Sequence, residues 1–306
     1  MKSPRVVVRV PAKINLNLSV GPLRKDGYHD VATVYQAISL SDEVTAQFGQ
    51  AGTGITISLS GDFISGVPVD ERNLAYRAAL LIAQEMRLSP DIALHILKSI
   101  PVAAGLAGGS ADAAATLIAV EQLLGGSIGR TKLNEFAAEL GSDVPFALAG
   151  GTAIGSGRGE ALSPALARGD YHWVLVISHQ GLSTQAVYAE CDRLRQGREI
   201  SAPRVTDALM HALRNGDAQA LGKALMNDLQ PAACSLRPAL RLLLDVGEEY
   251  GALGSIVSGS GPTVAFLARD SDHALDLTVA LSASGVAGQI LRAVGPMPGA
   301  RVTESR

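Results

Sequence analysis

Residues 101–115 read PVAAGLAGGSADAAA, a stretch almost wholly of glycine and small side chains, with a short apolar alternation at 92–97 before it and the periodic run ADAAATLIAVEQLL after it. A strand, a loop without bulky side chains and a helix is an arrangement in which backbone N–H groups can approach a ligand closely, with the positive end of the helix dipole behind them. Ser110 is placed to cap that helix, Ala114, Leu117, Ile118 and Leu124 form one apolar stripe, and Gly125 and Gly126 end it. The same spelling also suits a turn that only packs a helix against a sheet. The stretch holds no lysine or arginine, so a phosphate bound there needs positive charge from elsewhere in the chain.

With 306 residues, 47% of them hydrophobic, the chain can bury a sizeable core and is expected to form two domains, 1–165 and 166–306. Its net charge of −3 is spread without blocks, which argues against nucleic acid or an anionic membrane as partner. Cys191 and Cys234 stand far apart outside any CxxC pair, as expected of core residues in a reducing compartment. The first residues, MKSPRVVVRVPAK, lack the features of a signal peptide, and a cytoplasmic location is expected. The uncharged stretch 250–268 is long enough to span a membrane, but its glycines and Pro262 make it read as strand, tight turn, strand.

Near the N-terminus, Ile14, Leu16, Leu18 and Val20 alternate with Lys13, Asn15, Asn17 and Ser19, predicting a half-buried strand with Lys13 and Asn15 on one face. Asn73 is a plausible cap for a helix over NLAYRAALLIAQEM, and TKLNEFAAEL predicts another, closed by a left-handed Gly141. Beyond residue 170 the expected order is strand, helices around 205–213, 218–229 and 238–250, a strand hairpin, a helix and a last strand at GQILRAV. Strands pairing through hairpins with helices between predict an α/β (α+β) fold rather than a doubly wound parallel sheet.

Two familiar phosphate loops are excluded by spelling. Gly222-Lys223 is followed by Ala224, which breaks the Walker A pattern, and GLAGGS is no dinucleotide fingerprint. GSGRGE at 155–160 nearly spells one, but it lacks a following helix and reads as a turn. His95, His172, His179, His211 and His273 lack metal-ligand spacing.

The order and spacing of PAKINLNL (11–18), the 101–115 loop, GSDVPF (141–146) and SGSGPT (258–263) resemble the galactokinase, homoserine, mevalonate and phosphomevalonate (GHMP) kinase superfamily over nearly the whole chain. Within it, PAKINL, DGYH (26–29), ERNLAYRAA (71–79) and GSDVPF are similar to the 4-diphosphocytidyl-2-C-methyl-D-erythritol kinase family. That resemblance implies a ribosomal-protein-S5-like nucleotide domain, a ferredoxin-like second domain and a cleft between them. It also implies ATP with Mg2+ and an acceptor that is a cytidine diphosphate ester of methylerythritol, phosphorylated at its 2-hydroxyl. No protein-only metal site is expected.

By the same resemblance Asp143 is the base and Lys13 its charge partner. Pro101, Val102, Ala103, Ala104, Gly105, Leu106, Ala107, Gly108, Gly109, Ser110 and Ala111, with Asn73 and Lys98, would bind ATP. Asn15, Tyr28, His29, Thr184 and Tyr188 would bind the acceptor, the aromatic rings stacking on its base. Gly259, Ser260 and Gly261 would support the loop from the second domain. Taken alone, Asp143 also reads as a helix cap before VPFAL, Lys13 as a solvated strand lysine and Lys98 as a strand-end charge. Ala104 and Ala107 stand where the superfamily favours glycine, which alanine replaces at little cost only at negative φ. Asp112 suits a first helical turn but must point away from phosphate. The alternatives are another small-molecule kinase of the superfamily, acting on homoserine or mevalonate, and a nucleotide-binding sensor without catalysis.

Overall fold

The computed structural model describes residues 4–89, 91–178, 180–285 and 288–306. The first half runs β1 (Arg5–Leu23), β2 (His29–Phe48), β3 (Ile55–Gly61), α1 (Leu74–Glu85), β4 (Ile92–Lys98), α2 (Gly108–Leu123), α3 (Arg130–Leu140), α4 (Val144–Ala149), β5 (Thr152–Ser156) and β6 (Ala161–Pro164). The second runs β7 (Tyr171–Ile177), α5 (Thr184–Arg195), α6 (Asp207–Asn215), α7 (Ala218–Ala224), β8 (Met226–Asn227), α8 (Gln230–Leu236), α9 (Ala239–Glu249), β9 (Gly254–Val257), β10 (Val264–Ala268), α10 (Ser271–Ala283), β11 (Gln289–Gly295) and β12 (Arg301–Ser305). His179 lies outside the described residues.

The first sheet carries eight strands along the path β12-β1-β2-β4-β3, with β5 and β6 extending from β2 and β8 pairing β1. The second has the antiparallel order β11-β7-β10-β9 and the chain order strand, helices, strand, strand, helix, strand, a ferredoxin-like arrangement. After GQILRAV the chain returns as β12 to pair with β1, a strand that its exposed, polar residues gave no alternation to reveal. The span 218–229 is a helix only to Ala224, and α8 follows it.

The alternation of β1 does not separate core from solvent. Lys13, Asn15 and Asn17 are as buried as Ile14 and Leu16, because the polar face is covered too. Register breaks with β2 at Pro11/Ala12 and at Asn15/Asn17 bracket Lys13 and Asn15, and such bulges re-aim side chains. α2 likewise has no single stripe: ten of its residues, from Gly108 to Val120, are buried, and its alanines let it lie close against β1, β2 and α1. Its cap position is Ala107, with no side-chain hydrogen bond, so Ser110 lies inside the first turn rather than ahead of it. Gly141 closes α3 in an extended conformation, φ 166°, and not in the left-handed one. Asn73 does cap α1, accepting from Ala75 N. Trp173 of β7, fully buried, donates its Nε1–H to Gln36 Oε1 of β2 at 3.0 Å and so ties the two sheets together.

Candidate active site

A cavity of about 1240 Å³ lies where the loops of the two sheets meet, and three walls define it. The first is the glycine loop, which contributes Pro101, Ala103, Ala104, Gly105 and Ala107 before the chain enters α2 through Gly108, Gly109 and Ser110. The N–H groups of that first turn have no acceptor within the helix, and a Cβ at Gly109 would meet nothing within 4 Å, so the approach is open. The turn between β9 and β10 props the loop from behind. Ser258 Oγ donates to Gly105 O at 3.1 Å, and a Cβ at Gly105 would stand 2.2 Å from Ser258 O, a contact only glycine permits. Asn227 holds that turn by donating to Val257 O and Gly259 O at 2.7 and 2.8 Å.

Ala107 adopts φ +60° and Ala103 φ +52°, so the condition for alanine in place of glycine fails at Ala107. The backbone is set by the crowded loop and the side chain bears the strain. Val102 is exposed without lining the cavity, while Leu106 and Ala111 turn into the core.

The second wall carries the charges. Lys13 Nζ donates to Asn15 Oδ1 at 2.8 Å, Asn15 Nδ2 donates to Thr33 Oγ1 at 2.8 Å, and Lys13 Nζ stands 3.9 Å from Asp143 Oδ2. The lysine side chain is 8% exposed and the aspartate 31%, so the carboxylate faces the opening. Asp143 occupies the cap position of α4, yet its side chain makes no capping bond; Pro145 lies at the start of the helix, and the carboxylate is not spent on the helix end.

The third wall is aromatic. Tyr28 is 54% exposed at the rim and lies under the Arg158 guanidinium, 5.2 Å from its ring centroid. His29 is buried, its Nε2 2.9 Å from Asp192 Oδ1 and its ring centroid 5.2 Å from that of Tyr188. With Nε2 occupied, Nδ1 is the nitrogen available to a ligand. Burial, assisted by the Asp143 charge, pushes the Tyr188 phenol up to about 12, so it stays protonated. Thr184 Oγ1 meets Ser260 Oγ at 2.9 Å and joins α5 to the β9–β10 turn.

Two further expected ATP residues do not line the cavity either. The Asn73 side chain is spent on Ala75 N and on Pro68 O and does not line the cavity. Lys98 is buried beneath the loop, paired with Asp42 and, at 2.7 Å, with Asp112. Burial lowers its pKa, but the two carboxylates raise it more, so the ammonium is fixed between them rather than offered to phosphate. Asp112 does point away from the loop, but it lies beyond the first turn. Arg158, Tyr35 and Asp192 line the cavity without having been singled out in the sequence. Arg158 belongs to GSGRGE, where the turn reading was right and the arginine inside it was the missed signal.

The glycine loop at a helix start, the Lys13/Asp143 pair and the ferredoxin-like second sheet together describe a GHMP kinase. Sequence profiles agree: the GHMP kinases N terminal domain matches residues 73–151 and the GHMP kinases C terminal domain residues 209–287. A 4-diphosphocytidyl-2-C-methyl-D-erythritol kinase of Thermobifida fusca (strain YX) is 52% identical over 302 residues, covering 97% of this chain and 98% of its own. A crystal structure of 4-(cytidine 5'-diphospho)-2C-methyl-D-erythritol kinase superposes with TM-score 0.75 at 31% identity over 94% of this chain and 98% of that one. A homoserine kinase of Cytophaga hutchinsonii ATCC 33406 shares the fold, with TM-score 0.75 at 20% identity over 99% and 98% of the two chains. The chain belongs to the 4-diphosphocytidyl-2-C-methyl-D-erythritol kinase family of GHMP kinases.

Proposed function

We propose that this enzyme transfers the γ-phosphoryl group of ATP to the 2-hydroxyl of 4-diphosphocytidyl-2-C-methyl-D-erythritol, giving the 2-phosphate and ADP. The observation that carries the residue roles is the meeting of Lys13 and Asp143 at 3.9 Å in a cavity that has free helix N–H groups on one side and an aromatic pocket on the other. Phosphoryl transfer asks the protein chiefly for positioning and charge stabilisation. Amides of Gly108, Gly109 and Ser110 hold the triphosphate, and MgATP is the co-substrate, its metal screening charge on the phosphates. Asp143 accepts the proton of the attacking hydroxyl. Lys13, held by Asn15, keeps the aspartate oriented and meets the charge that develops on the alkoxide and the moving phosphoryl group. Tyr28 and Tyr188 stack on the cytosine, and His29, oriented by Asp192, reads its polar edge. Thr184 fixes the second-domain side of this pocket through Ser260.

Incubation of the purified protein with MgATP and the cytidylyl sugar alcohol, beside homoserine and mevalonate, tests the reading. ADP release is expected with the cytidylyl substrate alone. Equal or faster turnover of homoserine or mevalonate would place the chain's activity in the other branch of the superfamily.

A further inference from the structure

Tyr35 of β2 has no part in the chemistry described above, yet the wall that carries the charges packs closely against it. It sits opposite Asn15 in the β1/β2 register, lines the cavity and is 4% exposed. Its ring packs on Phe146, with centroids 4.9 Å apart, and Phe146 belongs to α4, the helix whose cap position is Asp143. Lys13 Nζ stands 5.7 Å from the ring centroid. Two glycines of the β5–β6 hairpin make room for it: a Cβ at Gly155 would lie 2.7 Å from Tyr35 Cε2, and one at Gly159 2.3 Å from its hydroxyl oxygen. Burial, and after it the Asp143 charge, raise the phenol's pKa well above its ordinary value, so the hydroxyl keeps its proton and remains a donor.

We propose that Tyr35 is the positioning residue for the Asp143 carboxylate, with the 155–160 hairpin as the clamp that holds its hydroxyl there. This rests on Asp143 being the base. A carboxylate at the mouth of a cavity, 3.9 Å from its lysine and without a capping bond, needs a second contact to keep one oxygen toward the substrate alcohol. The hairpin glycines, whose spelling suggested only a turn, thereby acquire a role in the site, since both sit where a methyl group would displace the tyrosine.

The test is a double-mutant cycle on kcat with saturating MgATP and the cytidylyl substrate. Tyr35→Phe is expected to lower kcat by roughly ten- to a hundredfold, the worth of a hydrogen bond to a charged group, with KM for ATP unchanged. In an Asp143→Asn background the same substitution should cost less than about twofold, because the carboxylate it orients is gone. A kcat unchanged in Tyr35→Phe, or equal losses in both backgrounds, overturns the inference while leaving the base intact. An Asp143→Asn enzyme with wild-type kcat overturns the base assignment, and this inference falls with it.

Discussion

Lys13 and Lys98 stand in neighbouring motifs, and each is a plausible cation for a loop that has none, but their surroundings separate them completely. Lys13 reaches the cavity from a bulged strand, bonded to a neutral amide and 3.9 Å from a carboxylate that stays partly open to solvent. Lys98 is 1% exposed and clasped by two carboxylates, and one of them, Asp42, also accepts the N–H groups of Ser99 and Ile100 at 2.6 and 2.8 Å where the chain leaves β4 for the loop. The first ammonium has coordination to spare for a substrate. The second joins the exit of β4 to α2 and fixes the width of the loop between them. A charge serves chemistry here according to how many partners already own it.

Substitutions can break that contrast. The largest effect on rate is expected at the open pair: Lys13→Met should reduce kcat by roughly a hundred- to a thousandfold, the usual cost of removing one group that stabilises transition-state charge, with thermal unfolding little changed. Steady-state kinetics and a melting curve on the same preparation check it. Lys98→Met should do the reverse, destabilising the fold by about 3–5 kcal/mol because two carboxylates are left buried without a counter-charge, while the folded fraction retains kcat. Urea unfolding followed beside activity separates the two outcomes. A Lys98 variant that is stable but inactive would erase the contrast.

Asp112→Asn sharpens it through pH. Burial, against the opposing pull of Lys98, raises the Asp112 carboxyl well above its ordinary value, and its Oδ1 has no hydrogen-bond partner. A carboxyl whose folded pKa is raised favours the folded state fully below its unfolded value of about 3.9, and that contribution is lost as pH rises through the folded value. Relative to wild type, Asp112→Asn should therefore gain stability as pH is raised from the acid side toward neutrality, read as the difference in urea midpoint at each pH. A difference that stays flat or shrinks would mean that the triad holds both carboxylates charged without penalty. The smallest effect is expected in the loop itself. Ala107 carries φ +60°, so Ala107→Gly relieves a left-handed alanine at the expense of a more flexible unfolded chain, a net change within about 1 kcal/mol. KM for ATP should be unaltered.

What could be read in the sequence was what local chemistry demands. Glycines must be spelled out where a backbone approaches a ligand or another backbone, as Gly105 does Ser258, so the loop was visible in the spelling alone. The alternation of Ile14, Leu16 and Leu18 gave the strand that carries Lys13, although not the burial of its polar face. The fate of Lys98 was not legible, because its partner Asp42 lies 56 residues away and nothing local announces the pairing. Asn73 was legible as a cap, and it does accept from Ala75 N; the ATP contact that the resemblance implied for it is not among its two hydrogen bonds. Arg158 and Tyr35 were hidden for another reason: a glycine hairpin looks the same in sequence whether it merely reverses the chain or presses on an active-site ring.

The most direct test of the account is the single-turnover rate of Asp143→Asn measured together with its affinity for MgATP. The expected result is nucleotide binding within about twofold of wild type and a chemical step slowed by roughly a hundred- to ten-thousandfold, the range for loss of a positioned general base. A chemical step at the wild-type rate, or a loss of activity that comes entirely from failure to bind MgATP, would contradict it.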